Sequence, residues 1–156
     1  MKKASSRKNA PITRKKMVEL LNIDLAGEYQ AIIAYVVYSQ TMKGAKYLHI
    51  AKELEKHAGE ELSHAIQIAK QIDYFNGTPV VAPKEVKLSG KPEDMLRFDL
   101  DNERTTILNY RERIRQAEAM GEFGLSEVLR KIIVQEQEHL TDLADALGID
   151  NPKLED

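Results

Sequence analysis

Glu60-Glu61-Leu62-Ser63-His64-Ala65 and Glu136-Gln137-Glu138-His139-Leu140 decide how this 156-residue chain is read. Each sets a histidine three residues after a glutamate, and on a helix that spacing puts both side chains on one face. Around both stretches, apolar residues recur at alternating steps of three and four, as a buried helical seam requires. One seam reads Leu54, Ala58, Glu61, Ala65, Ile68, Ile72, and the other Leu125, Leu129, Ile132, Glu136, Leu140, Leu143, Leu147. A glutamate therefore falls in the middle of a face that should be dry.

Two further seams repeat the pattern. Met17, Leu21, Leu25, Glu28, Ile32 and Tyr35 form one, and Leu96, Leu100, Glu103, Ile107, Tyr110, Ile114 and Ala117 the other. Breaks at Lys43-Gly44, Asn76-Gly77, Gly121 to Gly124 and Gly148 divide the chain into four helices. These are expected at Ile12 to about Met42, Ala45 to Phe75, Glu93 to Met120 and Leu125 to Leu147. The fold expected is all-α, an antiparallel four-helix bundle. Residues 77–92, with three prolines and two glycines, make the one long connection. A helix of 30 residues is about 45 Å long, and 16 extended residues reach about 53 Å, so this connection can cross the whole bundle.

Four unpaired carboxylates inside a bundle would cost many kcal/mol, and the seams offer no matching Lys or Arg. Protonation would neutralise them at the expense of large pKa shifts, whereas two divalent metals balance four carboxylates directly. Carboxylate with imidazole suits iron or manganese, and also zinc. The ligand candidates are Glu28, Glu61, His64, Glu103, Glu136 and His139. Glu28 to Glu61 and Glu103 to Glu136 are both 33 residues, and the two halves are offset by 75. Two equivalent hairpins would set the candidates about a local two-fold axis. Tyr35 lies two turns along the face of Glu28, and its hydroxyl is expected to hydrogen-bond a ligand carboxylate. His57 is expected at the surface among Glu53, Lys56 and Glu60.

With Leu25-Ala26-Gly27-Glu28-Tyr29-Gln30-Ala31 and Met95-Leu96-Arg97-Phe98-Asp99-Leu100-Asp101-Asn102-Glu103 added to the two opening stretches, the chain resembles the ferritin-like di-iron carboxylate proteins, and within them the bacterioferritins, over about residues 15–147. That resemblance implies Glu61 and Glu136 as bridging ligands, Glu28 and Glu103 as terminal ones, and one histidine per iron. It implies a ferroxidase, which oxidises Fe(II) with dioxygen or hydrogen peroxide and stores Fe(III) in a homo-oligomeric shell. Leu62 stands where bacterioferritins carry the methionine that ligates haem, so no haem of that type is expected. The residues after Gly148 include Pro152 and are too few for the fifth helix of 24-subunit shells, so a 12-mer is favoured over a 24-mer.

Composition narrows the remaining classes. The chain has no Cys, which excludes a disulfide scaffold, thiolate metal sites and a cysteine nucleophile. It also removes the second iron site of a rubrerythrin-like peroxidase, the first alternative, and the thiol pair usual in one 12-subunit subgroup. Residues 1–16 hold seven Lys or Arg and no acid, while the other 140 carry a net −9. A basic tail repeated on a shell suits DNA phosphate, so a DNA-protecting ferritin-like protein is the second alternative. Residues 1–11 read as that tail, 12–148 as the bundle and 149–156 as a short C-terminal tail. The longest apolar run, Ala31 to Tyr38, is too short to span a bilayer, and no membrane partner is expected. The expected location is cytoplasmic.

Overall fold

The computed structural model describes residues 11–155. Four long helices, α1 Arg14–Thr41, α2 Leu48–Tyr74, α3 Pro92–Ala119 and α4 Phe123–Leu147, form a ferritin-like bundle. No strand occurs among the described residues. α1 packs chiefly on α2, and α3 on α4. The two hairpins expected from the glycine breaks are thus present.

The helix ends follow from local chemistry. The Thr13 side chain accepts from the Lys16 N–H at 3.1 Å and caps α1. Gly44 breaks the chain at φ 120°, and a single 3₁₀ turn, Ala45–Tyr47, leads into α2. Pro92 opens α3, with Glu93 and Asp94 placed favourably against the helix dipole. Gly148 ends α4 at φ 68°, where a side chain would be strained.

The crossover is laced to α1. Asn22 takes both the Thr78 carbonyl, at 3.0 Å, and the Val80 N–H, at 2.7 Å. Lys84 N–H donates to the Ala26 carbonyl, Gln30 Nε2 to the Glu85 carbonyl, and the Tyr38 hydroxyl to the Lys87 carbonyl. The fastening points on α1 climb by one or two turns each, so the connection runs along the helix as its length allowed.

The basic segment is only partly described. Residues 1–10 lie outside the described residues, and with them most of the expected tail. Arg14 and Lys16 belong to α1, where Arg14 pairs with Glu122 at 2.8 Å and Lys16 with Glu19 at 3.0 Å. Taken whole, α1 is long and apolar enough to cross a bilayer, although its longest uninterrupted apolar run is short. Its inner face also carries Asp24 and Glu28, and that face is buried in the bundle.

The core falls into two apolar halves. Tyr35, Ile50, Leu54, Leu96, Ile107 and Leu143 belong to one, and Met17, Leu21, Ile68, Tyr110, Leu129 and Ile132 to the other. On α1, α2 and α4 the seam glutamate lies between them in sequence, whereas Glu103 of α3 lies inside the first half, between Leu100 and Ile107.

Candidate metal centre

Helical periodicity alone carries Glu28, Glu61, His64, Glu103, Glu136 and His139 inward, one glutamate per helix. None of the six is more than 3% exposed. They form two groups of four, Glu28–Glu61–His64–Glu136 and Glu61–Glu103–Glu136–His139. In each group one ligand atom per residue lies within 4.8 Å of every other. Glu61 and Glu136 belong to both groups.

The two shared carboxylates each turn one oxygen to each histidine. His64 Nδ1 lies 3.1 Å from Glu61 Oε2 and 3.1 Å from Glu136 Oε1. His139 Nδ1 lies 2.8 Å from Glu61 Oε1 and 3.4 Å from Glu136 Oε2. Glu28 and Glu103 close the ends, each with an oxygen 3.7 Å from the nearer histidine. Glu28 Oε2, Glu61 Oε1, both Glu136 oxygens and His139 Nδ1 are buried with no aligned hydrogen-bond partner. Such a convergence of unpartnered oxygen and nitrogen atoms could hold a metal ion in each group.

Outer contacts fix these side chains. The Tyr35 hydroxyl donates to Glu103, and the Tyr110 hydroxyl donates to Glu28. Burial, with Glu103 adding to it, raises Tyr35 well above its ordinary pKa, which keeps it a neutral donor. His64 Nε2 faces Gln135 Oε1 at 2.7 Å, and His139 Nε2 faces Glu60 Oε2 at 2.8 Å. An oxygen acceptor at Nε2 places the proton there and leaves the Nδ1 lone pair for the centre.

Without metal, protons do the neutralising. Burial pushes Glu28 and Glu103 well above the usual carboxylate range, and the neighbouring carboxylates push the same way. For Glu61, burial is outweighed by hydrogen bonds from Glu28, His139 and His64, and its pKa falls. Burial lowers both histidines, but hydrogen bonds to the carboxylates reverse this and raise them strongly.

Several buried polar residues had not been anticipated. Tyr110, a core residue by its seam position, stands 75 residues after Tyr35 and joins it beside the centre. Asp24 and Asp99 are also buried and also 75 apart. Arg113 reaches inside and binds Asp24 at 2.8 Å, so the core does hold one cation. His57 is corrected outright: it is 1% exposed, stacks on His139 with ring centroids 4.1 Å apart, and meets Asp142 at 3.0 Å. Leu62 sits half-exposed on α2. A cleft of about 220 Å³ between α1 and α3, lined by Lys84, Asn102, Thr106 and Asn109, reaches Glu28, Glu61, Glu103 and Glu136.

A bundle with a long crossover and a buried carboxylate–histidine layer is the architecture of the ferritin-like class. Residues 18–151 match the family model for the ferritin-like domain, and the chain belongs to that family. It is 27% identical to a bacterioferritin of Desulfovibrio desulfuricans over 81% of this chain and 71% of that one. It is 24% identical to a bacterial ferritin of Pseudomonas aeruginosa over 86% and 88%. Among solved structures it is similar to a ferritin-like diiron-carboxylate protein of Bacillus anthracis, at 33% identity and TM-score 0.83, over 86% of this chain and 96% of that one. It is also similar to a dodecameric thioferritin, the bacterioferritin-related protein of Bacteroides fragilis, at 28% identity and TM-score 0.81, over 88% of each.

Proposed function

We propose that Glu28, Glu61, His64, Glu103, Glu136 and His139 bind two iron ions and that the chain is a ferroxidase subunit for iron storage and detoxification. The observation that carries this is the double role of Glu61 and Glu136, each with one oxygen toward either histidine. Two bridging carboxylates, two terminal carboxylates and two neutral imidazoles balance two divalent ions, a donor set that fits iron, with manganese and zinc as substitutes. Each bound ferrous ion gives up one electron, so a pair reduces dioxygen with two protons to hydrogen peroxide, or hydrogen peroxide with two protons to water.

The chain's own residues supply the setting. Tyr110 and Tyr35 hold the terminal carboxylates in place. Gln135 and Glu60 fix which histidine nitrogen faces inward. The α1–α3 cleft gives iron and oxidant a polar path, and the apolar halves exclude bulk water on either side.

For assembly, we infer a homo-oligomeric, cytosolic 12-subunit shell. Ile33, Val36, Leu62 and Ile66 are each 40% or more exposed, apolar surface that subunit contacts would cover. The dodecameric Bacteroides fragilis relative supports that number.

The test loads metal-free protein with two Fe(II) per chain and follows oxidation after oxidant is added. Oxidation faster than for free iron is expected, with loss of the advantage in Glu61→Ala/Glu136→Ala. Equal rates for wild type and free iron would overturn the reading. Light scattering on the same sample should give the mass of twelve copies of a 17.7 kDa chain. A dimer would favour the rubrerythrin-like alternative.

A further inference from the structure

The two halves of the centre repeat one another at the six candidate ligands and the two tyrosines. The 75-residue offset pairs Glu28 with Glu103, Tyr35 with Tyr110, Glu61 with Glu136 and His64 with His139, identical residues each time. Directly behind the histidines the identity fails. The residue that accepts from His139 Nε2 is Glu60, at 2.8 Å, and its counterpart behind His64 is Gln135, at 2.7 Å. The geometry is the same and the charge is not.

Other broken pairs point the same way. His57, stacked on His139 and bonded to Asp142, has the buried apolar Ile132 as its counterpart. Asp142 itself corresponds to Gln67. Asp24 is neutralised by Arg113 at 2.8 Å, whereas its counterpart Asp99 has no such cation: the repeat position of Arg113 is Tyr38, whose hydroxyl donates to the Lys87 carbonyl, and Asp99 Oδ2 is buried with no hydrogen-bond partner. Glu60 and Asp142, against the amides Gln135 and Gln67, therefore set more negative charge on the His139 side.

We propose that the two metal positions are unequal: the His139 position binds a divalent cation more tightly and fills first, and the Glu60/Gln135 difference sets that order. The proposal rests on the ligand assignment made above. A carboxylate that accepts the Nε2 proton makes Nδ1 a stronger donor and adds an anion close to the metal, where an amide does only the first, and weakly. Lys56 Nζ, 3.8 Å from Glu60 Oε1, is well exposed, and its opposing effect is screened by solvent. Partners of this kind change metal affinity by roughly 10–100-fold. The first ion would then stay with Glu61, Glu103, Glu136 and His139. The ion at His64 would be the one that exchanges.

The experiment titrates Zn²⁺ into the metal-free, full-length protein by calorimetry, and places the ion at one Zn²⁺ per chain by anomalous scattering. Wild type should bind two ions in steps separated by about tenfold or more, the first at His139. Glu60→Gln should bring the steps together by weakening the first. Gln135→Glu should bring them together by strengthening the second. The double exchange Glu60→Gln/Gln135→Glu should restore two steps with the first ion at His64. The swaps are near-isosteric, and far-UV circular dichroism verifies that each variant is folded. Two equal sites in wild type, a first ion at His64, or steps indifferent to both swaps would overturn the proposal and leave the ligand assignment standing. No Zn²⁺ bound at either position would overturn the assignment with it.

Discussion

Tyr110 on α3 reaches across the bundle and donates its hydroxyl hydrogen bond to Glu28 on α1, while Tyr35 on α1 does the same for Glu103 on α3. The two bonds tie the hairpins together on either side of the centre. Without metal the raised pKa values of Glu28 and Glu103 favour neutral acceptors, and a bond to a neutral group contributes about 0.5–1.5 kcal/mol, so Tyr110→Phe and Tyr35→Phe should each lower the stability of the metal-free protein by roughly that amount. Urea unfolding measures the loss. Metal affinity should fall at the terminal carboxylate that each tyrosine serves, Glu28 for Tyr110 and Glu103 for Tyr35.

The Asp24–Arg113 pair is a separate case, since neither residue belongs to the proposed ligand set. Asp24 is 5% exposed and Arg113 7%. Burial raises the Asp24 pKa even against the attraction of Arg113. Arg113→Leu leaves a buried carboxylate without its cation and should cost about 3–5 kcal/mol. Asp24→Asn added to Arg113→Leu should recover part of that. Denaturant midpoints of the two variants decide it.

The stability of the metal-free protein should fall as pH rises. Glu28, Glu103 and Asp99 have folded pKa values above the ordinary ones, burial being the first cause for each. Their contribution is complete below the unfolded carboxylate value and is lost as pH climbs through the raised values. His64 and His139, raised from 6.5, lose theirs over a still higher range. Glu61, lowered, works oppositely and only as pH drops below 4.5. Thermal unfolding of the metal-free protein should therefore show a Tm that declines from about pH 5 to pH 9. Metal replaces the same protons, so the Tm gain on adding Zn²⁺ should grow over that range.

One substitution type should act in opposite directions at two glycines. A Cβ at Gly77 would lie 2.5 Å from Val18 Cγ1, so Gly77→Ala should destabilise by about 1–3 kcal/mol. A Cβ at Gly59, inside α2, meets nothing within 4 Å, so Gly59→Ala should stabilise by about 0.5–1 kcal/mol. Thermal unfolding of both variants checks the pair of signs.

Glu28, Glu61, Glu103 and Glu136 were legible because each interrupts an otherwise apolar seam, and the histidines because Glu-x-x-His is a one-face spacing. The helix breaks were legible from glycine, within three residues at every end. The polar residues around the centre were harder to see. Asp24, His57, Asp99 and Arg113 stand beside the seams among polar neighbours, and whether such a position is buried depends on how closely adjacent helices approach. Glu60 and Gln135 each sit one position off an apolar seam, and only the packing of α2 on α4 turns them toward a histidine. The 75-residue offset singles out Tyr110 as the counterpart of Tyr35.

The division of the core into two apolar halves gives the molecule a waist. At either end, tightly packed side chains keep the four helices in register whether or not the middle is satisfied. An acidic layer that holds the proposed ions could then be emptied and refilled without the chain having to refold around each one. Hydrogen exchange should find the loosest core amides of the metal-free protein at mid-helix rather than at the helix tips, the reverse of ordinary end fraying. In mechanical terms the fold is a clasp with two fixed ends and a working centre.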